Sequence, residues 1–196
     1  MAEELRGTRV AILACSGFEQ SELLEPQQAL LDAGAHVEIV SPERDRIRGW
    51  NKTEWGQSVP VDRTVKEART SDFDALMIPG GVMNPDHLRR DPAAVALVRE
   101  MFAEGKPMAV ICHGPWMLAE AGIAAGMELT SFSSVKTDLI NAGARWVDRS
   151  VVIDRGLVTS RNPDDLPAFN RAMIETFTQG REAGQGRREL VGGSTR

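Results

Sequence analysis

From Thr8 the chain reads TRVAILAC, with nothing polar after Arg9, the pattern of a strand covered on both faces. SELLEPQQALLDAGA follows, with Leu23, Leu24, Leu30 and Leu31 near helical spacing, Pro26 early in the element and Gly34 as its stop. HVEIVSP then alternates and ends at Pro42, which completes one strand-helix-strand unit. Residues 43–70 are polar and mixed, and their alternating WGQSVPVDRTV predicts an excursion or β-ribbon. FDALMIPGG is a second buried strand. DPAAVALVREMFAEG is a helix with Asp91 as N-cap, Pro92 at its first position and Gly105 as stop, and KPMAVI is a third strand. Helices reaching Ala121 and over SVKTDLINAG, strands in ARWVD and SVVIDRGLVTS, and a last helix from NPDDLPAFNRAMIETF complete the series. This alternation predicts an α/β sandwich on a mostly parallel sheet.

A length of 196 residues, 42% hydrophobic and 26% charged, fits one domain over 1–177, followed by a Gly- and Arg-rich stretch, 178–196, that reads as a mobile tail. The net charge of −5 offers no broad basic field for nucleic acid or anionic lipid. No segment approaches the roughly 20 apolar residues of a membrane span, and MAEELRGTRVAILAC lacks the pattern of a signal peptide. A protein free in a reducing cytoplasm is the expectation. Two cysteines, Cys15 and Cys112, cannot build a disulfide framework.

The placement of Cys112 changes this picture. KPMAVI delivers it to the carboxyl edge of the sheet, where ligands gather in parallel α/β folds, and a helix begins a few residues later. Gly114 and Pro115 suit a strand-turn-helix elbow, which exposes the thiol near the positive end of a helix and is expected to lower its pKa. Cys112 therefore reads as a nucleophile rather than as the small buried hydrophobe that free cysteine often is. Cys15, also at a strand end but without an elbow, reads as that hydrophobe. His113 is either a turn residue or, if the turn folds its imidazole back beside the sulfur, a base and then an acid. His36, at the start of a strand, reads as structural. The PGG of Pro79–Gly81 is either a tight turn or a source of N–H groups for an oxyanion. No phosphate-binding loop, dinucleotide fingerprint or metal-ligand motif occurs, so no cofactor or metal is expected.

DALMIPGG, GKPMAVICHGP, FEQSELLEP, INAGARWVD and LVTSRNPDDLPAFNR together resemble the PfpI-like branch of the superfamily that includes the parkinsonism-associated deglycase, from about Thr8 to about Phe177. The resemblance implies a flavodoxin-like three-layer sandwich related to class I glutamine amidotransferase domains, assembled as a homodimer or larger with its site near the subunit interface. It implies Cys112 as the reactive nucleophile, His113 beside it, Glu19 as the carboxyl that hydrogen-bonds the sulfur, and Asp86 as an acid reaching the histidine of a neighbouring subunit. Gly81 and His113 would supply oxyanion N–H groups. Trp116 stands where relatives often carry glutamine, and its ring would narrow the pocket or form one wall of it. The implied activity is a stress-protective cysteine hydrolase acting on small carbonyl or peptide substrates. The rival is a redox sensor or chaperone-like protein in which Cys112 is oxidised, with a transient Cys15–Cys112 disulfide as a further variant.

Overall fold

The computed structural model describes residues 4–192, with side chains described to 180. In chain order the elements are β1 (Arg9–Leu13), α1 (Gln20–Asp32), β2 (His36–Ser41), β3 (Arg46–Asn51), β4 (Glu54–Pro60), β5 (Arg63–Thr64), β6 (Ala75–Ile78), α2 (Met83–Leu88), α3 (Pro92–Ala103) and β7 (Met108–Ile111). They continue as α4 (Trp116–Glu120), β8 (Glu128–Leu129), α5 (Lys136–Asn141), β9 (Arg145–Trp146), β10 (Val151–Asp154), β11 (Leu157–Ser160) and α6 (Leu166–Gly192). Seven strands form the central sheet in the order β10-β11-β7-β6-β1-β2-β5, parallel throughout except at β10–β11. This is a flavodoxin-like three-layer α/β sandwich.

Residues on β1 and β7 alternate between two cores, one on each face of the sheet. Val10, Ile12, Ala109 and Ile111 pack with Leu23 and Leu30 of α1 and Phe169, Met173 and Phe177 of α6. Ala11, Leu13, Met108 and Val110 pack with Leu97 and Met101 of α3, Leu118 of α4 and Leu139 of α5. The register Ile12↔Met77, Ile78↔Val110 and Ile111↔Ser160 brings the carboxyl ends of β1, β6, β7 and β11 to one edge. Cys15, Pro79–Gly81 and Cys112 all follow strands at that edge.

Several elements depart from the sequence pattern. α1 starts at Gln20, so Pro26 lies inside the helix on its buried side, where it cannot donate to the Glu22 carbonyl. SVVIDRGLVTS, read as one run, is a hairpin, because Arg155 (φ 49°) and Gly156 (φ 79°) both adopt the left-handed region that a tight two-residue turn needs. ARWVD contributes only β9, which pairs with β8 apart from the central sheet. The backbone of 178–192 continues α6, and 193–196 lie outside the described residues. The ribbon between β2 and β6 is present as the β3–β4 hairpin.

α3 follows the predicted capping, with Asp91 Oδ1 accepting the N–H groups of Ala93 and Ala94 at 2.8 and 3.0 Å. Asp91→Ala is expected to lower the unfolding free energy by about 1 kcal/mol in urea titration. An unchanged midpoint would contradict this account of the helix start.

Candidate active site

Cys112 follows β7 with φ 64°, a left-handed conformation unusual for a residue with a Cβ. Strand alternation would send its side chain to the α3–α5 face with Val110; instead it packs with the α1-side core. The turn is closed by the Gly114 N–H donating to the Ile111 carbonyl at 2.9 Å. A Cβ on Gly114 would lie 2.8 Å from that same oxygen, which is why the elbow takes glycine here.

The turn brings His113 back beside the sulfur, with Sγ and Nδ1 3.2 Å apart. Both residues are nearly enclosed, Cys112 5% and His113 7% exposed. The N–H groups of Gly81 and His113 both address the sulfur, so the two donors named from sequence converge on the reactive atom. Gly81 needs its glycine twice, for φ 80° and because a Cβ there would lie 2.5 Å from the Gly17 carbonyl.

The carboxyl at the sulfur is that of Glu22, one turn further along α1 than the Glu19 inferred from resemblance. Glu19 is half-buried at the N-cap position of α1 without a side-chain capping bond, donates its N–H to the Gly80 carbonyl and meets the Ser21 hydroxyl at 3.4 Å. Glu22 is fully buried, and its Oε2 accepts the Gly80 N–H at 2.9 Å. Its Oε1 has no hydrogen-bond partner among the described residues, and the carboxyl as a whole lies against the Cys112 thiol. A Cβ on Gly80 would lie 2.5 Å from both Cys112 Cβ and Glu22 Oε2, so nothing but glycine fits between the two. A sequence signal existed: Glu22 shares the i, i+4, i+8 stripe of Pro26 and Leu30, where an acid is out of place.

Burial pushes the Glu22 carboxyl up to about 8, helped by the charge of nearby Glu19 and opposed by the thiol and the Gly80 N–H. The shift favours the protonated, neutral carboxyl. The expectation of a thiol acidified by the helix start needs correction: burial, with a charged Glu22, holds Cys112 above its ordinary range, against the pull of the two N–H groups. α4 is too short and begins too far on to offset this. Protonation of Glu22 reverses its influence, because the opposing charge disappears and its O–H becomes a further donor to a thiolate. Burial lowers the His113 pKa, so the imidazole is neutral and able to accept the thiol proton.

The remaining residues named from sequence lie elsewhere. Asp86 is exposed on α2, and within the chain both ring nitrogens of His113 are engaged by other groups, Cys112 and Ser134. Cys15 is buried in the opposite core from Cys112; its N–H donates to Asn84 Oδ1 at 2.8 Å and its Sγ to the Asn84 carbonyl at 3.3 Å. Burial, then the Glu43 charge, pushes that thiol up to about 12. Both cysteines are free. Trp116 meets the His113 ring edge-on at 5.6 Å and lines a pocket of about 410 Å³ with Arg89, Glu120 and Asp138, but Cys112 is not part of that lining. Sequence reasoning also missed Ser134, at 3.1 Å from His113 Nε2, and Phe132, stacked on the ring at 4.7 Å. Neither carries a motif.

The DJ-1/PfpI family profile matches residues 8–176. The chain belongs to the DJ-1/PfpI family. It is 42% identical over 167 residues to Deglycase PfpI of Pyrococcus furiosus, covering 85% of this chain and 98% of that one. It is 40% identical over 170 residues to General stress protein 18 of Bacillus subtilis, covering 86% and 96%. Among solved structures, Drosophila melanogaster DJ-1beta superposes with a TM-score of 0.79 at 26% identity, over 91% of this chain and 96% of that one. A two-domain protein of Anabaena variabilis with dj-1/thij/pfpi-like and ferritin-like domains gives 0.81 at 37% identity, over 86% of this chain and 47% of that larger one.

The Glu22 shift sets a pH dependence. The fold keeps Glu22 protonated to about 8, whereas the unfolded chain releases the proton near 4.5, so the native state binds more protons between those values. This contribution to stability is full below pH 4.5 and is lost as pH rises through 8. Between pH 5 and 8 the unfolding free energy of the wild type should fall relative to Glu22→Gln by on the order of a few kcal/mol. Parallel urea-titration curves for the two proteins would contradict a neutral Glu22.

Proposed function

We propose that this chain is a stress-protective cysteine hydrolase that acts on electrophilic carbonyls, small aldehydes such as glyoxals and their early glycation adducts, through Cys112. The observation that carries the reading is the Cys112 Sγ to His113 Nδ1 contact of 3.2 Å on a left-handed elbow, with two N–H groups converging on the sulfur. The names Deglycase PfpI and General stress protein 18 of two relatives support it.

Addition of the thiol across an aldehyde forms the S–C bond, opens the C=O, and passes the sulfur's proton to the new oxygen through His113. The N–H groups of Gly81 and His113 would bind the oxygen while it is negative. For a 2-oxoaldehyde, a hydride shift from the aldehyde carbon to the neighbouring carbonyl carbon, with the thiohemiacetal hydroxyl proton passing to the oxygen of that second carbon, gives a thioester. Water then cleaves the C–S bond, releasing a 2-hydroxy acid and restoring the thiol. No oxidant or reductant enters the sequence. The near-complete enclosure of Cys112 suits a few-atom substrate better than an extended peptide. The exposed side chains of Val82, next to Gly81, and Phe132, against His113, support a homodimer whose subunit boundary runs near the site.

A second reading, in which Cys112 is a redox sensor, draws on the same donors, since the Gly81 and His113 N–H groups and a neutral Glu22 would bind an oxygen on an oxidised sulfur. Consumption of methylglyoxal separates the two. Cys112→Ala should lose at least about a hundredfold of the wild-type rate. Equal rates would overturn the hydrolase reading, and peroxide-treated wild type showing stoichiometric Cys112 oxidation by mass spectrometry would then favour the sensor.

A further inference from the structure

His113 is held from every side that its ring presents. Nδ1 faces Cys112 Sγ at 3.2 Å and Nε2 faces Ser134 Oγ at 3.1 Å, while Phe132 stacks on the ring at 4.7 Å and Trp116 meets it edge-on at 5.6 Å. Ser134 lies in a short 3-10 turn, Ser133–Val135, directly after Phe132. The Phe132 N–H donates to the Cys112 carbonyl at 2.8 Å, so main chain ties this turn to the elbow that carries the histidine. The approach to the turn is pinned as well: Thr130 N–H donates to Thr159 Oγ1 at 3.0 Å, and Trp146 Nε1 donates to Ser131 Oγ at 2.9 Å. The segment that delivers the serine hydroxyl to the imidazole is thus tied to the sheet and to the elbow.

We propose that Ser134 is a positioning residue for the Cys112–His113 pair, its hydroxyl accepting Nε2–H and so holding the imidazole in the tautomer whose Nδ1 lone pair faces the sulfur. The inference rests on the reading of His113 as the group that receives the thiol proton. A neutral imidazole carries one N–H, and a thiol opposite Nδ1 is a donor, so the ring's own proton belongs on Nε2. Ser134 supplies an acceptor for that N–H from the same chain, and Phe132 stacks on the same ring. The hydroxyl is neutral, so it orients the ring without favouring an imidazolium. Loss of the hydroxyl leaves Nε2–H without its partner, and the competing tautomer, with Nδ1–H directed at sulfur, becomes accessible.

The test reads the tautomer directly. Protein labelled with 15N-histidine is compared at pH 8 by the ring-nitrogen shifts, His113 being distinguished from the other two histidines with His113→Gln. Wild type and Ser134→Thr should show protonated Nε2 and unprotonated Nδ1, and Ser134→Ala should move a measurable share of the ring to Nδ1–H. On methylglyoxal, Ser134→Ala should lose about tenfold in kcat with little change in KM, restored by Ser134→Thr. A wild type with Nδ1 protonated, or with both nitrogens protonated, would overturn the proposal, as would a Ser134→Ala ring with the wild-type pattern. The wild-type spectrum decides even if the alanine variant does not fold. A protein without activity toward methylglyoxal would count against the proposed substrate and would leave the tautomer result standing.

Discussion

A glutamate fully buried against a cysteine is the constraint on which the rest of this site depends. Burying a carboxylate is costly unless it is paired, and the described residues around Glu22 offer its Oε1 no N–H or cation. Keeping the proton resolves the conflict. A neutral Glu22 accepts the Gly80 N–H and has a proton of its own to offer the neighbouring sulfur. Gly80 has to be glycine for the two side chains to meet, and Cys112 has to take φ 64° to reach the α1 side of the sheet. The strained elbow and the glycine pair after β6 thus both serve one contact.

That contact also governs how the cysteine reacts. A carboxylate beside the sulfur would oppose formation of a thiolate, whereas a carboxylic acid stabilises it by donation, so one proton on Glu22 changes the sign of its effect on the nucleophile. His113, kept neutral by burial, provides the separate route by which the thiol proton leaves. Two buried groups, both uncharged in the resting state, can in this way arm a third.

Much of this was legible in the chain before its structure. The apolar runs of β1, β6 and β7, the Asp91-Pro92 helix start and the His-Gly-Pro turn after Cys112 are local signals, and the fold follows them. Cys112, His113 and Gly81 come together as their places at strand ends implied. Resemblance points to Glu19 rather than Glu22 because it aligns a segment without fixing which turn of a helix faces inward. Its position on the Pro26–Leu30 stripe was the clue. Ser134 and Phe132 reach His113 from some twenty positions away, through a turn that no pattern foretells. The thiol's acidity was misjudged for a related reason: strand-end position marks an elbow, but burial and the neighbouring carboxyl are set by packing.

The central claim is that Glu22 keeps its proton beside Cys112, and infrared spectroscopy tests it most directly. The difference spectrum of wild type minus Glu22→Gln at pH 6.5 should contain the carbonyl stretch of a protonated carboxylic acid, shifted by deuteration. A difference spectrum carrying only the paired bands of a carboxylate would contradict the account.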